Sequence, residues 1–252
     1  MEVPRLAILP APRRGSEAMS RTDDHTTLFR RSWSLYDAIT AENFMFHREL
    51  YGRVASILAE RHRRGPDAIL DLGCGNARFL APCLEAALPV SYTGVDLSPT
   101  ALAEARDYLA GIGNVSLHEQ DMTVFAADWD GRCGVIFTGY AVHHLSNESK
   151  GGLLRSGAAR LLPGGELLMI DVLRDDGEDR DGYIDRYLRL MRDEWTTLPR
   201  VMIEEACDHV AAHDQPASLA ELRDLASRAG FANVEVIERH GPHHLLRFSA
   251  VA

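Results

Sequence analysis

Lysine is nearly absent: Lys150 is the single one in 252 residues, and acids outnumber Lys and Arg by 37 to 27, for a formal charge of −10. Phosphate backbones are gripped by clustered Lys and Arg, so this balance argues against a nucleic-acid partner. No apolar run approaches the roughly 18 residues that would cross a bilayer, so no membrane is expected either. Cysteine is also sparse. Cys74, Cys83, Cys133 and Cys207 have neither metal-like nor disulfide-like spacing, which suits a reducing cytoplasm. The first twenty residues hold a short apolar patch broken by Pro10 and Pro12, without a small-residue cleavage site. A flexible leader over residues 1–24 is expected rather than a signal peptide.

A glycine is missing as well. "ILDLGCGNARF", residues 69–79, ends an apolar run in an acid and then offers Gly73 and Gly75. A P-loop would need G-x-x-x-x-G-K-[ST], and neither the spacing nor the lysine is present. A dinucleotide loop needs a third glycine where Arg78 stands, a side chain that would crowd helix against strand.

What is present is an alternation of strands and helices. Apolar residues from Phe29 to Leu58 recur at three- and four-residue spacing, predicting a helical segment from about Thr26 to Arg63. "AILDLG", "VSYTGVDL", "VSLHEQD", "CGVIFTGY" and "GELLMIDVL" read as five strands, with "ARFLAPCLEAAL" and the Ser98-Pro99 start marking helices between them. A capping box, Ser218 with Glu221, opens a helix that closes at Gly230, and "ANVEVIERH" and "HHLLRFSAV" make a final strand pair around Gly241-Pro242. The pattern implies parallel βαβ units in a doubly wound sheet. Residues 173–215 interrupt it as a helical insertion. The expected organisation is therefore a leader (1–24), a helical lid (25–64) and a core (65–252) carrying the insertion.

Four segments in order carry a resemblance. "DLGCGNA", "YTGVDLSPTAL", "HEQDMTVF" and "VIFTGYAVHHL", followed by "LLPGGELLMIDV", are similar to the motifs of class I S-adenosylmethionine-dependent methyltransferases over about residues 65–172. The family's third small loop residue stands as Ala77. The resemblance implies a Rossmann-like α/β fold with seven strands, an antiparallel last strand and a helical lid. S-adenosyl-L-methionine is the implied cofactor. Asp71 would anchor the loop and receive the cofactor's amino group, while Gly73, Cys74, Gly75 and Asn76 present backbone to the methionine moiety. Asp96 would accept both ribose hydroxyls, with Leu97 beside it. Asp121 would meet the adenine amino group and Met122 the ring. Thr138 and Gly139 close the pocket at the end of strand four, and Tyr36 would cover the sulfonium through cation–π attraction, core packing being the competing role.

The acceptor is less legible. His143 is the candidate base and Tyr140 the candidate group facing the methyl, against the alternative that the histidines only cap the turn after strand four. Neighbouring residues on a helical turn point about 100° apart, so one ion shared by His143 and His144 is not expected; the site is read as metal-free. His47, His144, Tyr183, Tyr187 and His213 are candidate acceptor contacts. The group Asp208, His209, His213 and Asp214 has a spacing that could bind a metal or a polar acceptor, an ordinary surface helix end being the competing reading. The function expected is methyl transfer to O, N or S of a small molecule in bacterial biosynthesis. Methylation of tRNA or protein, and a non-catalytic cofactor-binding member, are the alternatives, with a homodimer left open.

Overall fold

A computed structural model describes residues 35–250 of the protein. The expected leader and the start of the lid, residues 25–34, lie outside the described residues. The chain divides into two units, Met1–Asp37 and Ala38–Ala252. Of the first, Leu35 to Asp37 are described; they are helical, and Leu35 is buried.

The second unit is a seven-stranded sheet in the order β3-β2-β1-β4-β5-β7-β6. Its strands are β1 (Ala68–Leu72), β2 (Ser91–Asp96), β3 (Val115–Glu119), β4 (Cys133–Gly139), β5 (Leu161–Val172), β6 (Phe231–His240) and β7 (His243–Ala250). The first five strands pair in parallel; β7 runs antiparallel to both β5 and β6. The sheet is thus of the expected doubly wound class with an antiparallel last strand. Strand order reverses between β1 and β4, which makes their carboxyl ends the switch point where such folds hold ligands.

The helices are α1 (His47–His62), α2 (Ala81–Ala87), α3 (Pro99–Tyr108), α4 (Met122–Asp128), α5 (Asn147–Arg160), α6 (Arg180–Glu194), α7 (Arg200–His213) and α8 (Leu219–Ala229). Helix α3 starts as its sequence predicts: Ser98 Oγ accepts the Ala101 amide, and Pro99 takes the first turn, where its missing N–H costs nothing. The Ser218–Glu221 capping box closes in both directions, and Gly230 ends α8 in the left-handed region at φ 98°. One core gathers β1 (Leu70, Leu72), β4 (Ile136) and β5 (Leu167, Met169) with Leu153 and Leu154 of α5 and Leu222 of α8. Burial on both faces explains why β1 is a continuous apolar run rather than an alternating one.

Two boundaries differ from the sequence reading. The amino-terminal periodicity does not make one helix: Asn43 and Phe46 are left-handed at φ 61° and 56°, and α1 restarts at His47. Asn43 is the cause. Its Oδ1 accepts the Arg48 amide at 3.0 Å and its Nδ2 donates to Glu49 at 2.8 Å, so it braces the new helix start from outside. Apolar spacing cannot register this, because Phe44 and Phe46 keep the period through the break. The helix after β1, read from Ala77, begins at Ala81, because Ala77 takes φ 56° and belongs to the loop.

Candidate donor and acceptor site

The loop after β1 is tied to β2 by the Gly73 and Cys74 amides, which both donate to the Val95 carbonyl at 2.9 Å. Gly73 sits at φ 76°, and a Cβ there would lie 2.6 Å from the Ala141 Cβ. Bare backbone is therefore required where the β1 loop meets the β4 turn. Met122 Sδ would be 3.5 Å from the same Cβ, so the turn at Asp121 reaches this point too.

Asp71 is buried at the end of β1. Its Oδ2 accepts the Tyr92 hydroxyl at 2.7 Å, and its Oδ1 has no hydrogen-bond partner. Burial raises the carboxyl to about 7, with the charge of Asp96 adding to it. A bare buried acceptor costs roughly 1–3 kcal/mol, which a ligand's cationic donor would offset. This orphaned oxygen is the fit of the loop to an ammonium-bearing cofactor.

Asp96 ends β2. Its Oδ2 accepts the Gly75 amide at 2.8 Å and its Oδ1 the Ser98 amide at 2.9 Å, which fixes the carboxylate while leaving each oxygen a second lone pair. Burial moves its pKa up against the pull of those amides. Leu97 beside it is 61% exposed. Asp121 caps α4: its Oδ1 accepts the Thr123 and Val124 amides and the Thr123 hydroxyl. Burial opposes ionisation of Asp121, yet these bonds hold its pKa below the usual value. Thr138 is buried with no hydrogen-bond partner at Oγ1.

Two members of the loop serve its frame. Asn76 donates to Glu104 at 3.0 Å and accepts the Arg78 amide at 3.2 Å, so both ends of its side chain are engaged within the protein. Cys74 is buried, and burial, with the charges of Asp71 and Asp96, drives its thiol far above the usual range; it is no nucleophile. Arg78, the residue that departs from the dinucleotide pattern, donates to Thr40 Oγ1 at 2.7 Å and lies 4.6 Å over the Phe79 ring. Tyr36 belongs to the amino-terminal unit.

A second group forms beyond β4 and β5. Tyr140 is left-handed at φ 54°, and its amide donates to the Ile170 carbonyl at 2.7 Å. Its hydroxyl bonds the Met45 carbonyl and lies 3.1 Å from His243 Nδ1, while His243 Nε2 lies 3.3 Å from the Tyr187 hydroxyl. The His47 ring is 4.3 Å from Phe79 and 5.0 Å from Tyr140; Tyr183 is 5.5 Å from Tyr187. The structure thus brings His47, Tyr140, Tyr183 and Tyr187 together. His243, Tyr51 and Phe79 join them unforeseen. Burial takes both His47 and His243 down to about 3, so these imidazoles are neutral at physiological pH. Tyr183 is fully buried, and its hydroxyl lacks a hydrogen-bond partner.

His143 and His144 form a third group, on the short 3-10 turn Val142–His144. They do not point apart; their rings are 4.0 Å apart. The buried carboxylate of Asp214, just past α7, draws both inward, at 3.8 Å from His143 Nε2 and 3.7 Å from His144 Nδ1. His143 Nδ1 also makes a short contact with Asp171 at the end of β5. Burial works against the charged ring, but Asp171 and Asp214 together raise His143 to about 9, which suits a proton holder rather than a general base. His144 falls to about 3 through burial and the charge of His143. His213 is exposed, 4.8 Å ring to ring from His209, and outside the aromatic group.

Residues 69–165 match a family model described as a methyltransferase domain. The chain is 31% identical over 216 residues, covering 72% of this chain and 75% of the relative, to a carboxy-S-adenosyl-L-methionine synthase of Chromohalobacter salexigens. Its fold is similar to an S-adenosylmethionine-dependent methyltransferase solved in its apo form (TM-score 0.53, 23% identity, 77% of this chain and 53% of that one). It is also similar to an O-methyltransferase family protein from Burkholderia thailandensis (TM-score 0.58, 18% identity, 81% of this chain). The chain spans 53% and 58% of the length of those two structures. No described helix is long and apolar enough to cross a membrane.

Proposed function

The chain belongs to the class I S-adenosylmethionine-dependent methyltransferases, and from that premise we propose that it transfers a methyl group to an O, N or S atom of a small molecule seated beside Tyr140, Tyr187 and His243. The observation that carries the acceptor half is the hydrogen-bonded series Met45 carbonyl, Tyr140, His243, Tyr187, which puts polar atoms inside an aromatic wall at the carboxyl edge of the sheet. A small acceptor fits such a wall; a polyanion does not, given the charge of −10. The lid role of α1 and of the insertion 173–215 belongs to the same reading, since the segment before α1 and helix α6 both bond into this series. A cytoplasmic location accords with four free cysteines, and the bacterial relatives accord with a biosynthetic step in a bacterium.

S-adenosylmethionine supplies a methyl carbon bound to a sulfonium, open to in-line displacement. Asp71 and Asp96 hold the donor; the aromatic wall orients the acceptor and excludes water, which is most of what such a displacement asks of a protein. The neutral rings of His47 and His243 add no positive charge of their own to repel a sulfonium.

Incubation with S-adenosylmethionine and a panel of phenols, amines and thiols, with S-adenosylhomocysteine quantified by mass spectrometry, tests the reading. Turnover with one class is expected. Asp96→Ala is expected to weaken cofactor binding by about 1–3 kcal/mol in calorimetry. Binding without turnover on any acceptor would point to the non-catalytic alternative. The name of the Chromohalobacter relative favours one further reading, in which the cofactor is itself the molecule modified. Recovery of a carboxylated cofactor from a reaction also supplied with carboxylic-acid donors, in place of S-adenosylhomocysteine, would select it.

A further inference from the structure

We propose that His143, His144 and Asp214 form a binding site for a divalent transition ion of the zinc class, fastening the end of the insertion to the sheet. The site is independent of the methyl-transfer reading. One ligand atom from each of the three side chains lies within 4.8 Å of the other two, and Asp214 Oδ1 is 3.8 Å from His143 Nε2 and 3.7 Å from His144 Nδ1. Bonds of about 2.0–2.2 Å to nitrogen and oxygen in a tetrahedral zinc site put ligand atoms about 3.4 Å apart. Small side-chain rotations close that difference.

Three further observations point to an ion rather than to a charged histidine between two acids. Asp214 is 3% exposed, and its Oδ1 has no hydrogen-bond partner. At 3.7–3.8 Å it is too far from either ring to accept a proton from it, so protonating His143 leaves that oxygen bare. An ion about 2 Å from each atom satisfies all three. Second, Asp171 bonds Nδ1 of His143 and leaves Nε2 facing Asp214, the carboxylate–histidine pairing that orients metal-bound imidazoles. Third, His144 has 41% of its side chain exposed, which gives an ion a way in.

The nearby cations do not occupy the carboxylate. Lys150 donates to the Leu145 and Gln215 carbonyls, and Arg180 to the Asp214 and Ala211 carbonyls. These bonds fix the backbone around the site, and the charge of Arg180 acts on the carboxylate without an ion pair to it. The Gln215 amide donates to the His143 carbonyl at 2.7 Å, which holds the two ligand-bearing segments together. With two nitrogens and one oxygen as ligands, a fourth position remains for water, as in open zinc sites.

The full chain, stripped with a chelator and dialysed against Zn2+, tests this by elemental analysis and thermal unfolding. Wild type is expected to retain a single equivalent of zinc and to gain thermal stability from it. His144→Ala should retain none and gain nothing, with its far-UV circular dichroism unchanged. Asp171→Asn should bind roughly 10–100-fold more weakly, and His213→Ala, outside the triad, should match wild type. Wild type without stoichiometric zinc, or His144→Ala binding as wild type does, overturns the proposal. If Asp171→Asn does not fold, the His144→Ala comparison decides alone.

Discussion

Replacing Asp71 by Asn separates its cost to folding from its use in binding. Asn keeps an acceptor for the Tyr92 hydroxyl at the same place, so the strand end is expected to stand. In the empty protein, burial and then the Asp96 charge hold the carboxyl at about 7, against 3.8 for a free one. A folded pKa raised above the unfolded one contributes stability that is present below pH 3.8 and lost as pH rises through about 7. At about 1.4 kcal/mol per unit, the loss is on the order of 4 kcal/mol between those limits. Asn carries no proton to lose, so the cofactor-free variant is expected to be more stable than wild type at pH 8, with the gain shrinking toward pH 4. Binding should move the other way. A cationic amino group pairs with the carboxylate only when Asp71 is ionised, so wild-type affinity rises between pH 5.5 and 7.5, approaching tenfold per unit at the acid end. Losing a charged partner costs about 1.5–3 kcal/mol, or roughly 10- to 150-fold in affinity, and the variant's affinity loses this part of its pH slope. Calorimetry in two buffers and urea unfolding across the same range read both effects. A wild-type affinity flat with pH, or a variant less stable at pH 8 but unchanged in binding, would refute the placement of the amino group.

Gly73→Ala is expected to lose about 1–2 kcal/mol from its left-handed φ alone, and more from the 2.6 Å approach to Ala141; cofactor affinity should fall at least tenfold. Gly164→Ala, at a similar φ of 73° but in open space, is its control: a thermal shift of backbone size with binding unchanged. Lys150→Met leaves the Leu145 and Gln215 carbonyls bare and should cost about 1–3 kcal/mol for each in urea unfolding.

The donor half of the site was legible because it is local. Asp71, Gly73 and Gly75 lie within five residues, Asp96 and Asp121 each end a strand or open a helix, and Ser98-Pro99 and Ser218–Glu221 announce helix starts by side-chain chemistry. The acceptor half is made by topology. His243 reaches Tyr140 across 103 residues because β7 inserts antiparallel beside β5, which sets the start of β7 at the carboxyl edge. An antiparallel last strand entered by "GPHH" was a usable signal for it. His143 could be seen but not understood, since its character comes from Asp171 and Asp214, 28 and 71 positions away. Asn43 was overlooked because periodicity counts apolar residues and a polar side chain breaks the helix.

Part of the strain and several of the unmet hydrogen bonds lie at the carboxyl edge of this sheet, where function is expected to hold them. Ala77 and Tyr140, non-glycine residues in the left-handed region, follow β1 and β4, on either side of the switch point. Bare buried oxygens on Asp71 and Thr138 belong to the ends of those same strands, and that of Asp214 meets the turn just after β4. At the opposite end of β5 the comparison reverses. Glu166 Oε1 and Arg247 Nε also lack hydrogen bonds, yet each has an ion-pair partner: Arg61 at 3.4 Å for the first and Glu166 at 2.8 Å for the second. Glu166 and Arg247 are neutralised by the fold itself, whereas Asp71 and Thr138 keep acceptors that the protein leaves unmet. The two proposals, in which Asp71 answers to the donor's amino group and Asp214 to an ion, fail separately: zinc should not change the pH slope of cofactor binding, and Asp71→Asn should leave zinc retention intact.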